Sequence, residues 1–343
     1  MMTVTAILSS CNKEMAVTEE VKQTQAPVEE TEISFQLYNP NDLKTKGIQS
    51  FDENSIKTLL ICLFRPDGSL DVIREFSDVK VDTKIFTRCE VGANRNIYAI
   101  ANWIPQTPIT KESDIQTALT HLSDNDQSKT VMAGVLKNEA IVYNGTYTIP
   151  IKHIAIKISL TGIKNSLEPF NLKGKSIVVK SLSIINVPIV APLFLEDWTA
   201  KNGNKPFSPS EWWNKGNWGS TADINRYTHD IINVTLKAGE TYSKVHTFYT
   251  YANPIIDKTE RLDLMTWTPR QTRIVAEVSI GADTYYYSKK LVDPEANTHY
   301  MFGNFVITRK GSNNPDLTID NSFISSKVKI VDWNVINGGD INM

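Results

Sequence analysis

The apolar residues of this chain fall into short runs closed by Gly, Pro, Asn or Asp, and that punctuation leaves room for strands rather than long helices. Ile33, Phe35 and Leu37 alternate with polar neighbours, the period-two signature of a half-buried strand. The denser run Ile56 to Phe64 reads as a core strand that stops at the turn Arg65-Pro66-Asp67-Gly68, and Ile97 to Trp103 reads as another. Ile141-Val142-Tyr143 and Thr146 to Ile149 flank Asn144-Gly145, a pair that tolerates the positive φ angles of a two-residue type I′ turn, so a hairpin is expected there.

One helix is expected in the first half, capped by Ser113, with Ile115, Leu119 and Leu122 on one face. Beyond it the strands continue over 154–160, 176–185, 231–236, 247–251, 272–280, 284–289, 300–307 and 327–335. Many short strands with one short helix indicate an all-β protein of two β-sandwiches in tandem, residues 32–150 and 151–343.

Composition removes several function classes. With 36 Lys and Arg against 38 Asp and Glu, the chain carries neither a nucleic-acid footprint nor a polybasic membrane patch. The most apolar stretch, Ile184 to Leu195, is interrupted by Pro188 and Pro192 and is too short to span a bilayer. His121, His153, His229, His246 and His299 show no metal-ligand spacing, and no nucleophile elbow, phosphate loop or dinucleotide fingerprint is present. Asp124-Asn125-Asp126 lacks the downstream bidentate Glu of a calcium loop and reads as a turn. No enzyme, metal or cofactor is expected. Cys62 and Cys89 could pair in an oxidising compartment, but two buried free thiols on strands is the favoured reading.

The start resembles a bacterial lipobox. Leu8-Ser9-Ser10 precede Cys11, the residue that carries diacylglycerol in that signal class, whereas Met1 to Ser10 lack the basic n-region of a full signal peptide and read as a truncated remnant. Residues 11–31 are polar and aperiodic, as a lipidated flexible tether would be. These features place the chain on the outer membrane and cell surface, exported through the periplasm.

The layout from end to end resembles the fimbrillin family, the type V pilus subunits of Bacteroidales. The resemblance is carried by Cys11-Asn12-Lys13, by Ser55 to Leu59 with Asp67-Gly68, by Ile100-Ala101-Asn102 and by Val131 to Gly134. It continues through His153 to Ile158, where many members have Arg in place of His153, and through Asn297 to Tyr300, Gly311 to Pro315 and Val331-Asp332-Trp333. It implies transthyretin-like, Greek-key sandwiches and a fimbrial subunit that supports adhesion and biofilm formation.

The family's mechanism implies roles for particular residues. A surface protease cuts after the first strand, that strand leaves, and the C-terminal strand of another subunit fills the groove. Here the leaving strand is Ile33, Phe35 and Leu37, and the donor strand is Val331, Trp333 and Val335. Many members offer an Arg for cleavage. This chain has none before Arg65, leaving Lys44 and Lys46 as the processing candidates, or an uncleaved anchor subunit, or a tip subunit. The expected partners are other fimbrial subunits, outer-membrane lipid through Cys11, and a surface protease. A different reading is a monomeric glycan-binding lipoprotein that stacks sugars on Trp212, Trp213 and Trp218; the competing reading of that loop, with Trp198, is a hydrophobic plug over one end of a sandwich.

Overall fold

The computed structural model describes residues 29–38, 55–80, 84–125, 128–213, 228–255, 268–291, 294–317, 324–325 and 328–332. The first half runs β1 (Glu30–Tyr38), β2 (Ile56–Phe64), β3 (Leu70–Val79), β4 (Lys84–Glu90), β5 (Gly92–Ala101), α1 (Glu112–Gln116), β6 (Leu119–His121), β7 (Met132–Ile141), β8 (Thr146–Pro150) and β9 (Lys152–His153). One sheet has the order β3-β2-β5-β7-β9 and a second the order β4-β1-β8. They close on a shared core in which Ile33, Phe35 and Leu37 meet Leu59, Ile61, Leu63, Ile97 and Ala99.

The density of the β2 run has a simple cause. Leu59, Ile61 and Leu63 face that shared core, while Leu60, Cys62 and Phe64 face a second cluster on the other side of the sheet with Tyr98, Ile100, Trp103 and Ile115. A strand buried on both faces has no polar face to alternate with. Cys62 and Cys89 lie in these different clusters, and both are free and buried. Burial pushes the Cys62 thiol up to about 12 and that of Cys89 to about 11.

Two local expectations are corrected. The helix stops after Gln116: β6 follows and pairs with a strand near residue 190, leaving Leu119 40% exposed. The Asp114 carboxylate, not Ser113, accepts the leading N–H groups, from Thr110 at 2.8 Å and Lys111 at 3.0 Å. Residues 141–149 do not form a hairpin either. Only Asn144 of the pair takes a positive φ (53°), and β8 leaves the β7 sheet to run parallel to β1. Gly145 leaves room for the Tyr147 ring, since a Cβ there would lie 2.7 Å from the Tyr147 hydroxyl.

The second half runs β10 (Ile156–Leu160), β11 (Ile163–Asn165), β12 (Ile177–Ile185), β13 (Val187–Pro188), β14 (Val190–Pro192), α2 (Leu195–Lys201), β15 (Trp212–Trp213), β16 (His229–Leu236), β17 (Thr241–Tyr242), β18 (His246–Thr250), β19 (Arg273–Ile280), β20 (Asp283–Lys290), β21 (Thr298–Phe302), β22 (Phe305–Ile307), β23 (Ile324–Ser325) and β24 (Val328–Asp332). The helix α2 is an addition to the single helix expected; its first turn holds Glu196 and Asp197 and its last turn Lys201, charges that suit the helix dipole. The sheet β16-β12-β19-β20 packs on β18-β10-β21-β24 around Ile158, Val179, Leu182, Phe248, Ala276 and Phe302.

A further ladder, β17-β11-β22-β23, repeats that second order beyond a break. The expected strand 300–307 is therefore two strands, split at Gly303-Asn304, as β10 and β11 are split at Thr161-Gly162. At Gly162 the β17 backbone comes so close that a Cβ would lie 2.1 Å from the Tyr242 carbonyl oxygen.

Candidate functional site

The strand β1 opens the described chain yet sits in the middle of its sheet. It pairs antiparallel with β4 and parallel with β8, so that Phe35 lies opposite Ile85 on one side and Tyr147 on the other. The two faces of β1 differ sharply. Ile33, Phe35 and Leu37 are almost wholly buried, and the Phe35 ring meets that of Tyr147 at 6.2 Å. On the opposite face Ser34 and Thr146 share a hydroxyl hydrogen bond of 2.9 Å.

The wall on the β8 side of β1 has an anchor of its own. Tyr147 donates to the Ala140 carbonyl at 2.7 Å and accepts from the Val142 N–H at 3.0 Å, which pins the aromatic wall to the end of β7. The residue before β1 is tied in as well: the Glu29 carbonyl accepts from the Val91 N–H at 2.9 Å, and Tyr143 donates to the Glu29 carboxylate. Taking β1 away would leave two strands with unpaired edges across an apolar slot two strand spacings wide, about 10 Å.

The other candidate residues are placed less completely. Cys11, Lys44, Lys46, Trp218, Trp333 and Val335 lie outside the described residues. Val331 is in β24, an edge strand that pairs antiparallel with β21, where it lies opposite His299. Trp212 is half-buried, and its indole N–H donates to the Pro209 carbonyl at 3.1 Å. Trp213 is 1% exposed inside the second-half core, so it is not available to stack on a sugar. Trp198 packs edge-on against Phe207 at 5.0 Å. The described part of the tryptophan segment thus covers a core.

Sequence reading did not reveal the polar clusters that pin the sandwiches. Arg65 and Arg95 converge on Asp71 and Glu90 at 2.8–3.3 Å, tying the turn after β2 to the ends of β4 and β5. His246 Nδ1 lies 2.6 Å from the Asp230 carboxylate and its Nε2 lies 3.0 Å from the Tyr242 hydroxyl, joining β16, β17 and β18. The spacing of 230, 242 and 246 follows no local motif, so only folding brings them together. Among the described residues no group of three or more His, Cys, Asp or Glu could hold a metal ion, and no helix is long and apolar enough to cross a membrane.

Residues 32–168, which begin inside β1 and end just past β11, match the model of the family described as major fimbrial subunit protein (FimA). Over that span, about two fifths of the chain, the sequence is similar to the fimbrillin family. Solved structures extend the likeness of fold along most of the chain. A candidate cell adhesion protein from Bacteroides eggerthii is 16% identical with a TM-score of 0.64, covering 90% of this chain and 97% of its own. A fimbrilin from Porphyromonas gingivalis is 12% identical with a TM-score of 0.59, covering 90% and 98%. The tip fimbrial protein Mfa3 from the same organism, with a C-terminal truncation, is 11% identical with a TM-score of 0.51, covering 89% and 100%. No curated protein matches in sequence. The family is a structural fimbrial one rather than an enzyme family, and it implies a cell-surface fimbrium and other fimbrial subunits as partners.

Proposed function

We propose that this chain is a fimbrial subunit precursor of two β-sandwich domains, 32–150 and 151–343, lipidated at Cys11 and assembled by strand exchange after cleavage near Lys44 or Lys46. The observation that carries the proposal is the placement of β1: central in its sheet, buried on one face and flanked by a strand on each side. Burying Ile33, Phe35 and Leu37 contributes about 1.5–3 kcal/mol each, an upper estimate because the unfolded chain is itself partly collapsed. Losing the strand exposes that slot and two backbone edges, which favours capture of another strand. The C-terminal segment with Val331, Trp333 and Val335 supplies the alternation that such a slot accepts. Adhesion and biofilm support follow from assembly.

The absence of arginine before Arg65 favours a second reading, an uncleaved anchor or a tip subunit of the same fimbriae. Limited digestion with a lysine-specific protease separates them. The cleavable subunit loses its N-terminus at Lys44 or Lys46 by intact mass and then forms a heat-sensitive ladder on unboiled gels. A chain that is trimmed there and stays monomeric sinks strand exchange, and resistance at both lysines supports the anchor.

A further inference from the structure

The outer face of the β3-β2-β5-β7-β9 sheet belongs to the first half of the chain, yet part of its cover comes from the second. Leu193 and Phe194 are buried in one cluster with Leu60, Tyr98 and Ile100. They arrive on an extended strap: the Leu122 N–H donates to Ile189 at 2.8 Å, β14 pairs with β6, and the Leu193 N–H donates to Ala118 at 3.0 Å. Phe194 then meets the Tyr98 ring edge-on at 4.9 Å.

A polar lock follows on α2. Asp197, 7% exposed, accepts from the Tyr98 hydroxyl at 3.0 Å and pairs with Lys137 on β7. The same hydroxyl lies 2.8 Å from Glu112 of α1. A carboxylate this buried depends on those partners, since removing them leaves an uncompensated charge. On the far side of the junction, Tyr251, next to β18, receives a hydrogen bond from Asn125 at 3.0 Å and lies 3.2 Å from the Thr120 hydroxyl.

We infer that residues 187–197 are a clasp that makes the two halves open as one cooperative unit, with the outer face of the first half held closed only while the clasp is seated. The clasp stands without the assembly mechanism; only its purpose rests on the fimbrial reading. In a filament, tension entering at the β1 slot passes into the second half through β6, β14 and the Tyr98–Asp197 lock as well as along the covalent chain.

Native-state hydrogen exchange on the full chain tests this, comparing peptides from β2 and β5 with peptides from β12 and β19. In the unaltered protein the slowest amides of both sets exchange through one opening. Phe248→Ala, a cavity in the second-half core on β18 and outside residues 187–197, speeds β2 and β5 as well as β12 and β19. Phe194→Ala speeds β2 and β5 at least tenfold, and in its background Phe248→Ala no longer reaches them. Asp197→Asn, which keeps a partner for Tyr98 but drops the Lys137 pair, gives a smaller change of the same sign if Phe194→Ala fails to fold. If Phe248→Ala leaves β2 and β5 untouched, or still reaches them with the clasp mutated, the clasp is wrong whether or not the chain polymerises.

Discussion

Asn102 offers the sharpest test of how the first sandwich is held. It follows β5 with a φ of 59°, in the left-handed region, and it is buried. Its side-chain oxygen accepts from the Lys57 N–H at 2.8 Å, and its amide donates to the Ser55 carbonyl at 2.8 Å and the Thr130 carbonyl at 2.9 Å. One side chain therefore fixes the entry to β2 and the approach to β7. Asn102→Ala removes these three bonds, at about 0.5–1.5 kcal/mol net each. It also places a Cβ without a compensating side chain in a left-handed conformation, costing about 1–2 kcal/mol. The expected loss is about 2.5–6.5 kcal/mol. Asn102→Gly loses the same bonds without the conformational cost, so it should be more stable than the Ala variant by about 1 kcal/mol. Urea unfolding of both variants, followed by circular dichroism, measures the two differences. The reasoning fails if Asn102→Ala stays within about 1 kcal/mol of the original chain, or if the Gly variant is the weaker of the two.

Other positions give independent checks. Gly134→Ala would set a Cβ 2.0 Å from the Pro150 carbonyl oxygen, a clash with backbone that no rotamer relieves; a fall of at least about 2 kcal/mol in urea unfolding is expected. His299 is held neutral in the fold, its pKa lowered to about 3 by burial and the nearby Lys157 charge. The unfolded chain therefore binds a proton that the folded one refuses, and stability falls as pH drops below about 6.5, by up to about 1.4 kcal/mol per unit from this group. In His299→Gln that slope between pH 6 and 4 should shrink by close to one proton, and an unchanged slope would refute the assignment. The thiols of Cys62 and Cys89 are buried and poorly ionised, so they should resist aromatic disulfide reagents at pH 8 until denaturant is added. Fast native reaction of either thiol, mapped by peptide mass, would contradict their placement.

The family signature Ile100-Ala101-Asn102 was visible in the sequence as a resemblance, and its physical content came from the fold. Nothing local to residue 102 says that its amide reaches Ser55 and Thr130. The slot shows the same division. The alternation of Ile33, Phe35 and Leu37 marks a strand with one buried face, but its neighbours β4 and β8 lie far along the chain; Ser34 and Thr146, hydrogen-bonded across the sheet, are 112 positions apart. The donor and processing residues that fall outside the described segments keep only their sequence argument.

By itself the sequence determined what depends on side-chain period and local turn chemistry. The β2 run was legible to its last residue, because nine consecutive positions dictate extended backbone and Pro66 to Gly68 dictate its end. The tertiary structure alone decided what depends on partners. Leu119 left its helix for a ladder with β14, β8 turned away from β7 to lie beside β1, and one apolar strand became β21 and β22 on either side of a break. The strap shows why most plainly. Ile184 to Leu195 reads as an apolar stretch broken by two prolines, and periodicity reports that such a stretch is buried without reporting against what. Its partners, Ala118, Tyr98 and Lys137, are chosen by backbone pairing and packing over long loops, and those interactions exist only once the chain has closed.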